Sequence, residues 1–271
     1  MSIITISRGS YSKGKEVAEK VAGKLGYECI ARDIIIEASA EFNIPEIRLV
    51  RAIHDAPSIL ERFNYSKERY LAFLQVALLE HFQKDNVVYH GIAGHFFIKH
   101  IPHVFKVRII ADMADRVRLE MEREGISRRE ALRILKSDDR ERRRWSKYLH
   151  GIDSGDPSLY DLVIHIKKIT ADDAADIIIH TVGLEHFKTT PESQRAVDDL
   201  LIAARVRAAL IDRKPDVEVS AKNGAVSIKT RAAEFQEEKL VHEMEEIAKR
   251  IPGVKGVKVH LKSFVLVDPA E

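Results

Sequence analysis

The chain is 271 residues long and 45% hydrophobic, which is enough apolar material for one large domain or two ordinary ones and excludes wholesale disorder. Its 44 basic and 42 acidic residues leave a formal net charge of +2, so the molecule as a whole gives no electrostatic case for nucleic acid or an anionic membrane. A single cysteine, Cys29, excludes an internal disulfide framework.

No stretch approaches the roughly 20 apolar residues needed to cross a bilayer. The apolar start at 3–6 is too short for a signal peptide and is followed by Arg8, so a cytoplasmic protein is expected.

Residues 2–7 predict a short strand rich in β-branched side chains, and a loop with Gly9 and Gly14 follows. Val17, Ala18, Val21, Ala22 and Leu25 have helical spacing, with Gly26 as the stop. Residues 27–31 read as a second strand, and 33–42 as a helix. Residues 66–84 form a long amphipathic pattern, with Leu71, Leu74, Leu78 and Leu79 on one side. Further strands are expected at 86–90, 105–110 and 162–166. Helices are expected after Gly91 and over 112–124, 127–150 and 171–182. Ser127 with Glu130 has capping-box spacing. Strands alternating with helices predict an α/β fold, a parallel sheet covered on both faces.

The character changes after Leu184. Residues 187–193 are polar, contain Pro191 and read as a linker. A compact αββαβ pattern follows: a helix over 195–211, strands around Val219 and Val226, a helix over 235–251, and a strand over 257–261. Asn223-Gly224 predicts a tight hairpin, since both central positions of that turn need positive φ. The expected organisation is a domain over 1–186, a linker over 187–193 and a small domain over 194–264.

Gly9-Ser10-Tyr11-Ser12-Lys13-Gly14-Lys15 fits G-x-x-x-x-G-K between a strand and a helix. Glycines let backbone amides approach phosphate oxygens, and the following helix presents free N–H groups and its positive dipole end. Lys15 adds a full charge. Glu16 stands where a hydroxyl residue usually serves Mg²⁺; a carboxylate can hold Mg²⁺ directly or through water but also repels phosphate. The ordinary alternative is a strand–turn–helix with a solvated lysine.

The helices over 112–124 and 127–150 crowd arginines among acids, and most fit a solvated face laced with i,i+4 ion pairs. Residues 138–144 differ, because four of the seven are arginine. Guanidinium groups suit bidentate phosphate recognition and the charge of a transferring phosphoryl group. Interleaved acids and the lack of an aromatic platform argue against nucleic acid. His90, His95, His100 and His103 fit no tight metal-ligand spacing, although His95 can face the cleft. Cys29 reads as inert core, and Trp145 with Tyr148 as packing.

Residues 2–184 resemble the cytidylate kinase-like branch of the P-loop nucleoside monophosphate kinases. The resemblance rests on Ile4-Thr5-Ile6-Ser7-Arg8, Gly14-Lys15-Glu16, Arg32-Asp33-Ile34-Ile35 and Gly91. It continues in Met121-Glu122-Arg123-Glu124-Gly125 and Asp156-Pro157-Ser158-Leu159-Tyr160-Asp161-Leu162-Val163-Ile164. It implies a P-loop kinase five-stranded parallel sheet with helices on both faces and a helical lid. It further implies transfer of the γ-phosphoryl group of ATP, with Mg²⁺, to CMP or a related small acceptor.

By this resemblance, Arg8, Gly9, Ser10, Ser12, Lys13, Gly14, Lys15 and Glu16 bind ATP, with Glu16 the indirect Mg²⁺ candidate. Arg32, Asp33, Gly91 and Asp161 fall on the acceptor side, and Arg116, Arg140 and Arg144 on the lid. Two positions depart from the family pattern, both on the acceptor side. Gly91-Ile92 stands where Gly-Arg is usual, and Ala31-Arg32 where Asp-Arg is usual.

Residues 192–261 resemble a BON domain, a small αββαβ module associated with phospholipid surfaces or other ligands. That implies a regulatory ligand-binding tail or a homodimer contact. Two functional readings follow: an ATP-dependent nucleoside monophosphate kinase, or a non-catalytic ATP-binding sensor that signals through the tail.

Overall fold

The computed structural model describes residues 2–9, 12–31, 34, 38, 40, 42, 66–91, 94–98, 100–233 and 237–264. The chain divides into two compact units, residues 1–62 with 84–193 and residues 63–83 with 194–271.

The first unit holds β1 (Ile3–Arg8), β2 (Glu28–Ile30), β3 (Val87–His90), β4 (Val104–Ala111) and β5 (Leu162–Ile166). All five are parallel, in the order β2-β3-β1-β4-β5. One face packs on α1 (Gly14–Leu25) and α6 (Ala171–Val182). There Ile4, Ile6, Val107, Ile109 and Ile164 meet Val17 and Val21 of α1 and Ala174 and Ile178 of α6. Strand side chains alternate, so Thr5, Ser7, Lys106 and Arg108 point to the opposite face. β1 reads as a continuous apolar run because a central strand of a doubly covered sheet is buried on both sides.

Helix ends follow local chemistry. Gly26 takes φ 69°, and its N–H closes α1 on the Ala22 carbonyl. Thr170 and Asp173 make a complete capping box for α6. A single turn, α3 (Gly94–Phe97), follows β3, shorter than the helix expected after Gly91. α4 (Met113–Glu124) and α5 (Arg128–His150) pack through Val117, Ala131 and Leu135, and the Ser127 hydroxyl accepts from the Glu130 N–H at 3.3 Å.

The second unit contains α2 (Ser66–Gln83), α7 (Pro191–Leu210) from residue 194 onward, β6 (Glu218–Lys222), β7 (Ala225–Ala233), α8 (Glu237–Lys249) and β8 (Gly256–Phe264). Its sheet runs β6-β7-β8, the first pair antiparallel and the second parallel. Val206, Leu210, Val226, Ile228 and Met244 centre its core. Asn223 and Gly224 take φ 52° and 80°, and the Asp199 carboxylate accepts both of their N–H groups.

Two expectations are corrected. The sequence order places the helix at 66–84 in the first domain, but α2 belongs to the second unit. Glu80 pairs with Arg205, Arg69 with Asp212 at 3.0 Å, and Gln83 donates to Asp198 at 2.8 Å. Residues 191–193 are helix rather than linker. Thr190 and Ser193 exchange backbone-to-hydroxyl bonds at 2.9 and 3.1 Å, and Pro191 suits a first helical position because it has no N–H to leave unsatisfied. The helix expected at 33–42 falls mostly outside the described residues. No described helix is long and apolar enough to cross a membrane.

Candidate active site

In an open parallel sheet, ligands bind beyond the carboxyl ends of the strands. Here β1 ends in Arg8 and turns through the glycine loop into α1. Ser12 fixes the turn: its side chain is 1% exposed and its hydroxyl reaches the Gly9 carbonyl at 3.0 Å and the Ile109 carbonyl at 3.3 Å. Lys13 caps α1 with φ 62° and gives the helix no side-chain hydrogen bond. The first-turn N–H groups of α1 therefore keep their capacity to bind an anion. Gly14 is required by close approach, since a Cβ there lies 2.6 Å from the Arg8 Cβ.

A cleft of about 600 Å³ opens beside this loop, a size typical of small-molecule sites. Arg8, Gly9 and Ser12 line it from the loop, Gly91 and His95 from the end of β3, and Arg108 and Ile110 from β4. α4 and α5 add Arg116, Lys136, Arg140, Arg142, Arg143, Arg144 and Lys147, with the carboxylates of Asp139 and Asp153. Among the described residues the wall thus carries nine cationic side chains against two carboxylates, on a chain whose overall charge nearly cancels. That segregation suits a polyanionic ligand.

Arg116 links the parts. It is 7% exposed, its guanidinium carbon lies 3.5 Å from where a Gly9 Cβ would be, and it grips Asp139 of α5 with two bonds of 2.9 and 2.8 Å. The loop and the arginine-bearing helix therefore share one side chain.

The β3 end is shaped by Tyr89. Its hydroxyl and its ring occupy the space that Cβ atoms at Gly91 and Gly94 would need, at 2.3 and 2.2 Å respectively. Burial pushes the Tyr89 hydroxyl pKa well above its ordinary value, against the opposing charge of Arg8. His95, 4% exposed, stacks at 5.1 Å against Tyr160. Outside the cleft lining, Asp112 pairs with Lys167 at 2.6 Å and His165 at 3.1 Å. The Lys167 hydrogen bond, chiefly, holds the Asp112 carboxyl below its usual range.

The structure thus brings together Arg8, Gly9, Ser12, Gly91, Arg116, Arg140 and Arg144 of the candidates. Lys13 and Gly14 serve as the cap and the start of α1. Lys15 lies along the flank of α1 with its ammonium 3.6 Å from Glu19, and Glu16 stands 4.0 Å from Lys20; neither lines the cleft. Ser10, Arg32 and Asp33 lie outside the described residues, as does Ile92. Asp161, expected on the acceptor side, lies apart from these residues and does not line the cleft. It sits at the amino end of β5, and its carboxylate accepts the Lys106 N–H at 2.8 Å and faces the Lys106 ammonium at 3.6 Å. That placement gives no support to an acceptor-side role.

Sequence reasoning missed Arg108 and Tyr160 as parts of one site. The available signal was a charged residue inside the apolar run of β4.

A family model described as "Cytidylate kinase-like family" matches residues 3–168. None of the curated proteins matches the chain significantly. Among solved structures, an uncharacterized protein from Eubacterium ventriosum is 23% identical with a TM-score of 0.53, over 67% of this chain and 98% of that one. At that identity the likeness shows the fold. A shikimate kinase from Bacteroides thetaiotaomicron is 11% identical with a TM-score of 0.44, over 68% of this chain and 99% of that one.

Proposed function

Because the chain belongs to the cytidylate kinase-like family, we propose that it transfers the γ-phosphoryl group of ATP to CMP or a related small acceptor. The observation that carries this reading is the cleft itself. It sets the loop before an α1 start without a side-chain cap against the arginines of α5.

Chemically, an acceptor oxygen forms a bond to the γ-phosphorus while the bond from that phosphorus to the β–γ bridging oxygen breaks. ADP leaves, and the acceptor proton passes to solvent. No covalent enzyme intermediate is needed, so the protein acts by positioning and by neutralising charge. The loop amides and the α1 N-terminus hold the β- and γ-phosphates. Lys15, on a flexible four-carbon stem, swings from Glu19 to the outer phosphates. Arg140 and Arg144 reach the transferring group from the lid. Arg116 positions the loop rather than touching phosphate, because its guanidinium is committed to Asp139.

Among the described residues no cluster of three metal-ligating side chains occurs. Mg²⁺ does not require one, since it is commonly held by one or two carboxylates, waters and the substrate phosphates. Glu16, on the first turn of α1 though outside the cleft lining, would hold the ion through water, and the ion would supply charge neutralisation on the phosphates.

The second unit serves as a BON-like regulatory module in this reading. It is supported by the helix–strand–strand–helix–strand order of α7 to β8.

Incubation with ATP, Mg²⁺ and a panel of nucleoside monophosphates tests the kinase, read as acceptor-dependent ADP formation. ADP formation with at least one acceptor is expected. Absence of turnover with every acceptor, in folded protein that binds ATP, contradicts the kinase. It favours the non-catalytic sensor, the reading to which the Gly91-Ile92 and Ala31-Arg32 departures point.

A further inference from the structure

Among the described residues, Arg108 is a cleft arginine held by three hydrogen bonds, none of them to a carboxylate. It lies on β4, opposite Ser7 of β1 in the parallel register. Its Nη1 donates to the Ser7 hydroxyl at 3.5 Å, to the Tyr160 hydroxyl at 3.2 Å and to the Ser154 carbonyl. The Tyr160 ring lies against its guanidinium at 5.4 Å. Tyr160 is itself fixed, with its hydroxyl 3.0 Å from the Ser7 oxygen and 2.9 Å from the Ser154 carbonyl.

All of these acceptors are neutral. Among the described residues Arg108 makes no ion pair, and its Nε and Nη2 make no hydrogen bond. Arg116, which lines the same cleft, is by contrast paired with Asp139. A half-buried guanidinium that lines a cleft and has one nitrogen bonded keeps donors that water or an anion must satisfy. Its planar donor pair matches the two oxygens of a phosphate or carboxylate.

The side of the sheet matters. Val107 and Ile109 pack on the α1 face, so Arg108 points to the other face, away from the helix whose N-terminus takes the triphosphate. Gly91 and His95 line the same cleft.

We propose that Arg108, anchored by Ser7, Tyr160 and Ser154, binds the oxyanion group of the phosphoryl acceptor. The assignment to the acceptor rests on the kinase reading of the cleft; the oxyanion site does not.

Inorganic phosphate is the probe, titrated calorimetrically into the full chain saturated with a non-hydrolysable ATP analogue. Wild type binds phosphate. Arg108→Gln lowers that affinity at least tenfold, with affinity for the ATP analogue changed less than about twofold. Arg108→Lys, which keeps the charge but loses the planar fork, falls between. Tyr160→Phe, which removes one anchor and keeps the ring, weakens phosphate by a smaller factor and stands in should Arg108→Gln fail to fold by circular dichroism. Arg133→Gln, an exposed arginine outside the cleft paired with Glu130, leaves both affinities unchanged and controls for net charge.

Equal phosphate affinity in Arg108→Gln and wild type overturns the proposal, as does an absence of phosphate binding in wild type. An equal loss of phosphate and ATP-analogue affinity overturns it too, since Arg108 then serves the donor. Failure of the kinase reading shows separately, as no ADP formation with any acceptor while phosphate binding still depends on Arg108.

Discussion

The Arg116–Asp139 pair ties the loop wall to α5, and its removal has a calculable effect. Hydrogen bonds to charged groups contribute about 1.5–3 kcal/mol, and a pair broken from one side also leaves its partner without compensation. The Arg116 side chain is 8% exposed and that of Asp139 is 30% exposed, so the two truncations differ. Arg116→Ala leaves a carboxylate that water can reach, costing about 1–2 kcal/mol. Asp139→Ala takes the carboxylate from a guanidinium that water reaches poorly, costing about 2–3 kcal/mol. At about 2–4 °C per kcal/mol for a fold of this size, Tm falls by roughly 2–8 °C and roughly 4–12 °C respectively.

Thermal melts and urea titrations of both single variants and the double variant close a double-mutant cycle, with an expected coupling of about 1.5–3 kcal/mol. Because Arg116 packs against Gly9, both single variants also weaken ATP binding. Additivity of the two substitutions within about 0.5 kcal/mol refutes the reasoning, since independent residues cannot link the lid helix to the loop.

Gly14→Ala places a methyl 2.6 Å from the Arg8 Cβ; ATP affinity measured by calorimetry should fall at least tenfold (about 1.4 kcal/mol) with secondary structure retained. Ser12→Ala removes the hydroxyl bound to the Gly9 and Ile109 carbonyls and should lower stability by about 1–2 kcal/mol in urea titration. His103 is fully buried, and burial, chiefly, lowers its pKa against the opposing charge of Asp85. A histidine depressed in the folded state contributes stability above its unfolded pKa of about 6.5 and loses it as pH falls below that value. Tm should therefore drop more steeply below about pH 6.5 in wild type than in His103→Phe, and identical pH profiles refute this attribution.

Much of the first unit was legible because its signals are local. The β-branched run at 3–6, the helical spacing of Val17, Val21 and Leu25 and the stop at Gly26 each act within one element. Asn223-Gly224 is local in the same sense, and both residues take the positive φ that the turn needs.

What escaped depends on contacts between distant positions. Nothing in the sequence near Glu80 announces Arg205, so chain order alone groups α2 with its neighbours in the chain rather than its neighbours in space. Arg108 reads as an interruption of an apolar strand until register sets it beside Ser7, and a loop 46 residues away sets it beside Ser154. Strand polarity decides which end of a sheet meets a ligand, and the sequence around Asp161 does not show that it stands at the amino end of β5. Lys13 reads as a phosphate-contacting lysine of the loop, whereas its backbone does the visible work by turning the chain into α1 at φ 62°.

The central claim is that the loop from Gly9 to Lys15 holds the triphosphate. Calorimetric titration of ATP with Mg²⁺ into wild type and Lys15→Ala tests it most directly. Saturable binding in wild type with at least tenfold weaker binding in the variant is predicted. Equal affinity in two folded proteins contradicts it.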